Sequence, residues 1–373
     1  MELSKYCLTR FLYAKDEVIL SLVHAFLEKK DCMECYYWAF ELFYSGENVF
    51  DVLWTIYFDF YAELNPKLES YMRKKQLEYQ TYKRIEPIAA IIRNVYASNP
   101  TDTVFMLRQY ILSNGPPTKI FKGRPPKWAL QHELPFRIWL MSIEKRCPEN
   151  IAYYTKQIVD TWTADIAFQH LMLYFTKTLG LVEKPEKLEE YWDTRPYPCD
   201  MHAILSTIVT LSMPADYLPK RNIYILPTNE DLTWIMQSEQ ICCTPDKLFG
   251  VRRVYHINAN IGAFQLSRNT LDYVDASRNH WEYYSAYSLL WNNRVTMCQG
   301  VLDHLSRSIV FSNDDMLEKY YSLFGYEFDE QPLIVQNKSI SPVLQQSLHS
   351  WWNKMFTCNP SVQFPEDYTM KYY

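Results

Sequence analysis

The sequence predicts a mainly α protein: stacked helical hairpins, solenoid-like through the amino-terminal half, followed by a second helical part with a few short strands. Two observations carry that prediction. Glycine occurs eight times in 373 residues and tyrosine thirty times, against an average glycine share of roughly 7%. The chain is therefore poor in the residue that turns a backbone through positive φ and rich in residues that fill packed interfaces. Apolar residues also recur at helical spacing between capping residues over most of the length.

In chain order, Asp16 is expected to cap a helix over 17–29. Asp31 should cap the next, which carries Met33, Tyr36, Tyr37, Phe40 and Tyr44 at helical spacing and stops at Gly46. From 48 to 64, Asp51, Thr55, Asp59 and Glu63 recur every four residues on one narrow stripe with apolar residues around the rest. Such a helix must be packed on several sides. Asn65-Pro66 ends it, and further helices are expected over 67–83, 88–96 and 103–112, joined tightly enough to form hairpins.

The segment 113–127, with Asn114, Gly115, Pro116, Pro117, Pro125 and Pro126, interrupts the pattern. Helices resume over 135–146, 149–162 and 164–178, stop in the Lys-, Glu- and Pro-rich stretch 183–198, and return over 202–213. Residues 222–226 and 251–257 read instead as short strands. Helices follow over 279–292, 294–305, 314–323 and 341–354, with a strand-like tail at 368–373. The change of texture places a boundary near 195–215: a helical stack over 1–200, then a mainly helical domain over 201–373 with a small sheet around 220–260.

The glycines, at 46, 115, 123, 180, 250, 262, 300 and 325, lack the spacing of a dinucleotide fingerprint, a Walker loop or a nucleophile elbow. A net charge of −5 predicts no general affinity for nucleic acid. Met1-Glu2-Leu3-Ser4-Lys5 lacks the basic start and apolar run of a signal peptide, and no uncharged apolar stretch reaches about 18 residues. An intracellular chain with no membrane partner is expected. Nine scattered cysteines fit reduced thiols packed as small apolar groups.

Cys32 and Cys35 with Cys199 and His202 have zinc-ligand spacing within each pair, but the first pair lies one turn apart inside an expected helix. They read as packed residues, and no metal or cofactor is expected. His132-Glu133 lacks the second histidine of a metalloprotease helix, since Phe136 takes its place. Lys119, Lys122, Arg124 and Lys127 beside Trp128 form the best candidate for contact with phosphate or an acidic partner, and Arg73-Lys74-Lys75 and Arg252-Arg253 could extend it. Tyr284, Leu289, Leu290, Trp351 and Trp352 are candidate partner contacts. Tyr37 with Leu42-Phe43 and Tyr284 with Leu289-Leu290 match the pattern by which translation scaffolds hold the cap-binding factor.

The phrase Tyr37-Trp38-Ala39-Phe40-Glu41-Leu42-Phe43-Tyr44-Ser45-Gly46, with Leu53-Trp54 and the run from Phe58 to Pro66, resembles helical proteins of unassigned role encoded by large DNA viruses of protists. The later pieces His280 to Tyr284, Gly325 to Pro332 and Gln336 to Ile340 are similar to the same group. The resemblance implies a viral protein acting in the infected cell or virion and brings no catalytic motif. The reading is an adaptor that binds other proteins through helical surfaces, in a narrower version as a translation-initiation scaffold. The alternatives are a nucleic-acid-associated factor in viral transcription, replication or translation, and an enzyme with an unrecognised site.

Overall fold

In a computed structural model of the chain, which describes residues 6–29, 31–113, 117, 124–181, 192, 200–212, 224–239, 275, 278–326 and 332–340, helices dominate and are joined by one two-stranded antiparallel sheet in the C-terminal half. The first helix, α1 (Lys15–Glu28), starts ahead of Asp16. Ala14 occupies the cap without a side-chain bond, and Asp16 lies in the first turn, where an acid complements the helix dipole. Asp31 does cap α2 (Cys32–Tyr44), accepting the Met33 N–H at 2.9 Å. Beyond α2 the backbone turns at Gly46 with φ +92°, and a Cβ there would also meet the Leu289 Cβ at 3.1 Å.

The helix expected from 48 to 64 is α3 (Val49–Ile56) running into a π-helical turn, Tyr57–Tyr61. Ala62 N–H reaches back five residues to Tyr57 O at 2.8 Å. There follow α4 (Leu68–Tyr82), α5 (Glu86–Ala97), α6 (Thr103–Ser113), a short 3₁₀ turn at Lys127–Gln131, α7 (Leu134–Glu144), α8 (Pro148–Thr161), α9 (Ala164–Leu173) with a π turn at Tyr174–Thr178, and α10 (Asp200–Ser212). The chain continues through α11 (Asn229–Glu239), α12 (Trp281–Ser285), α13 (Leu289–Met297), β1 (Gly300–Asp303), β2 (Ser308–Phe311), α14 (Asp314–Phe324) and α15 (Leu333–Ile340).

The described residues form two compact units, one from 6–49 and 227–340, the other from 50–226. This division differs from the one expected near 195–215, and its cause is long-range hydrogen bonding in the first unit. Leu8 N–H donates to Tyr284 O at 3.0 Å, Leu289 N–H to Ser45 O at 2.8 Å, and the Trp291 indole to Arg10 O at 2.9 Å. Arg10 makes a buried ion pair with Glu41 at 2.9 Å, and its guanidinium lies over the rings of Phe11 and Tyr44. Leu8 and Leu12 pack with Trp281, Trp291 and Tyr326. The first described residues of the unit are thus bound to α12 and α13, while α2 packs against both α1 and α11.

In the second unit consecutive helices pack as pairs, α4 on α5 and α7 on α8, while α10 touches α6, α8, α9 and the first π turn. Every residue of α10 from Ala203 to Leu211 is buried. Two buried tryptophans satisfy their indole N–H groups: Trp54 donates to Gln76 at 2.8 Å and Trp139 to Thr155 at 2.8 Å. Asp59, on the polar stripe of the sequence, is fully buried. Arg108 meets it with two nitrogens at 3.1 and 2.8 Å.

Three expected elements differ. Residues 279–292 form two short helices separated at 286–288, and the helix expected over 294–305 ends at Met297 and gives way to β1. Residues 224–226 belong to no strand and 229–239 is helical, while 222–223, 251–257, 341–354 and 368–373 lie outside the described residues. The sheet is formed by β1 and β2 rather than near 220–260 among the described residues.

Candidate interaction surfaces

The hairpin of β1 and β2 pairs Gly300 with Phe311, Val301 with Val310, Leu302 with Ile309 and Asp303 with Ser308. Alternate residues of a strand face opposite ways, and here the two faces have different fates. Leu302, Ile309 and Phe311 pack on Ala286, Val295, Cys298 and Tyr320. Gly300 permits this close approach, because a Cβ there would stand 2.7 Å from Ile309 and 2.8 Å from Val295. On the opposite face Val301 is 69% exposed, Val310 56%, and Leu305 in the connecting loop 95%.

The loop is held by its polar groups. Asp303 accepts from the Ser306 hydroxyl at 2.6 Å and from Leu305 N–H at 2.9 Å, and these donors hold its carboxyl below the usual range. His304 Nδ1 lies 2.9 Å from the Tyr283 hydroxyl, which in turn lies 2.9 Å from that of Tyr287. Leu305 is therefore presented outward from a tethered loop. Nearby on α14, Leu317 and Tyr321 are exposed one turn apart, while Tyr320 and Phe324 face the core.

The sequence candidates are distributed differently. Arg124 and Lys127 are exposed, whereas Lys119, Lys122, Arg252, Arg253, Trp351 and Trp352 lie outside the described residues. Arg73, which could have extended a basic face, is buried and paired with Glu69, and Lys75 pairs with Glu78 at 2.7 Å. Tyr284 ends close to the buried cluster, edge-on to Tyr6 at 5.1 Å. Leu289 is 55% exposed and Leu290 half-buried, but both open α13, so they share no continuous helix with Tyr284. In the other matching stretch Leu42 is fully buried.

Cys32 is half-buried and Cys35 fully buried, both as free thiols, and burial pushes the Cys35 thiol up. Cys199 lies outside the described residues. His202 faces Asp59 at 3.6 Å. Burial drives its pKa down to about 4, partly opposed by Asp59 and reinforced by Arg108. Among the described residues no three His, Cys, Asp or Glu side chains are grouped to hold a metal ion, and no helix is long and apolar enough to cross a membrane.

One grouping carried no motif. Trp128, His132, Phe136, Trp162 and His170 form a ring cluster, with the two imidazoles 4.7 Å apart and Trp162 5.0 Å from both Phe136 and His170. Burial, then His132, lowers the His170 pKa. The rings come from the 3₁₀ turn, α7, the end of α8 and α9, a meeting that no local spacing announces. Comparison of the chain with protein-family models, curated proteins and solved structures gives no match in any of the three.

Proposed function

We propose that the chain is an interaction protein that holds partners on exposed surfaces of a helical scaffold. The observation that carries this reading is the outward hairpin face of Val301, Leu305 and Val310. Exposed apolar side chains on a short sheet have an unfavourable contact with water that a partner would relieve. The two-stranded sheet has an unpaired edge on either side among the described residues, which favours an extended segment of a partner protein adding alongside it. The exposed Leu317 and Tyr321 of α14 supply a helical surface for the same role. The resemblance to proteins of large DNA viruses adds the setting of an infected cell or virion.

A nucleic-acid role draws less support, since Arg73 is engaged by Glu69 and, among the described residues, the candidate loop contributes only Arg124 and Lys127 as exposed cations. The test replaces Val310 with a photo-crosslinking residue in the tagged chain and, separately, makes Val301→Glu/Val310→Glu. The expected result is a covalent adduct at position 310 with a protein that the double variant no longer retains and Arg124→Ala/Lys127→Ala does. Retention of every captured protein by a folded Val301→Glu/Val310→Glu chain would falsify the reading.

A further inference from the structure

Between the start of α7 and the last turn of α8 lies a cavity of about 220 Å³. It is in the second unit, so it stands independently of the hairpin face. The floor is apolar, with Phe136 and Ile158 0% and 3% exposed. Trp162 forms a wall, its indole held by the rings of Phe136 and His170. Glu133 and Asp160, both exposed, contribute carboxylates to the lining, and no lysine or arginine lines it among the described residues.

Gln157 adds an acceptor. Its amide nitrogen donates to the Tyr153 hydroxyl at 2.9 Å, leaving the carbonyl oxygen for another donor. Asp160 already holds an ammonium, that of Lys156 at 2.6 Å, in an exposed pair of the kind that exchanges at little cost. Burial, then His132, lowers the pKa of the His170 imidazole behind Trp162.

These features select against most occupants. Two carboxylates repel an anion, and a neutral apolar group would strip water from them without replacing it. A cation on an apolar stem satisfies both parts, because methylenes cover apolar walls while the head meets carboxylates and the face of an indole. A water molecule's share of liquid volume is about 30 Å³, so the space admits a four-carbon stem. We propose that this cavity receives a lysine or arginine side chain of a partner protein, its stem along Pro135 over the buried floor of Phe136 and Ile158 and its head against Trp162 between Glu133 and Asp160.

The test is a titration of the full chain, methyl-labelled at isoleucine, with N-acetyl-lysine amide, N-acetyl-arginine amide, N-acetyl-norleucine amide and putrescine, following the Ile158 methyl resonance. A saturable shift with the two cationic amides is expected, with roughly tenfold weaker binding of the norleucine compound. Glu133→Gln/Asp160→Asn should raise the Kd about tenfold and reduce its salt dependence. Trp162→Phe, which keeps a ring, should weaken binding less than Trp162→Leu. Equal affinity for norleucine amide, unchanged affinity in Glu133→Gln/Asp160→Asn, or no shift with any cation overturns the site. Tighter binding of putrescine than of lysine amide overturns a protein side chain as the source.

Discussion

Each unit of the molecule buries an ion pair between residues far apart in sequence, and the two are built to different standards. In the first, Glu41 receives Arg10 Nε at 2.9 Å and Phe11 N–H at 2.9 Å, and Arg10 N–H is satisfied by Ser45 at 2.9 Å. In the second, Asp59 takes two nitrogens of Arg108 and also faces His202, whose Nε2 is buried without a hydrogen-bond partner among the described residues. Burial raises the pKa of Glu41, with Arg10 and the other donors opposing it. Removing the arginine of the first pair therefore leaves an acid that can take up a proton, while removing the acid of the second leaves a guanidinium that cannot lose one.

The largest effect expected from that contrast is at Asp59. Asp59→Leu strands Arg108 and should lower stability by about 3–5 kcal/mol, while Asp59→Leu/Arg108→Met should recover most of the loss. Hydrogen exchange of the α10 amides reads it, and a loss below about 1 kcal/mol would mean that the pair does not hold the helix in place. Arg10→Met should cost less, about 3 kcal/mol at neutral pH. That deficit should shrink on acidification as Glu41 takes up a proton, and a pH-independent deficit in the α2 amides would contradict this account.

The smallest effect concerns His202. In the unfolded chain its pKa is near 6.5 and in the folded chain about 4, so above pH 6.5 both states are neutral. As pH falls through 6.5 toward 4 the unfolded chain takes up the proton first, and the second unit should lose about 2 kcal/mol by pH 5. His202→Gln should flatten that part of the stability profile. An unchanged slope in urea unfolding would assign the pH dependence elsewhere.

Much of the helical framework was legible because its signals are local. Asp31 and Gly46 bracket α2 through a side-chain acceptor and a left-handed turn, both encoded in single residues. The hairpin was not read, although Val301-Leu302 and Ile309-Val310-Phe311 contain β-formers. Its turn rests on Asp303 rather than an Asn-Gly pair, and Gly300 falls inside the helix expected over 294–305, its role plain only with Ile309 and Val295 beside it. Asp59 looked like one position of an outward stripe because its partner, Arg108, lies 49 residues away. The cavity was equally hidden: Glu133 and Trp162 come from opposite ends of two paired helices, and neither carries a motif.

The hydrogen bonds that fasten residues 8–10 and 45 to residues 284–291 also constrain the order of events during synthesis. The first unit cannot close when its opening residues leave the ribosome, because the partners of Leu8, Arg10 and Ser45 have not been made. The described residues of the second unit, within 50–226, emerge in between, so their helices can pack while the opening segment waits. At about 5–20 residues per second that delay is on the order of ten seconds or more. Throughout it, Leu8 and Leu12 lack Trp281, Trp291 and Tyr326, so the nascent opening segment exposes apolar side chains of the kind that chaperones cover.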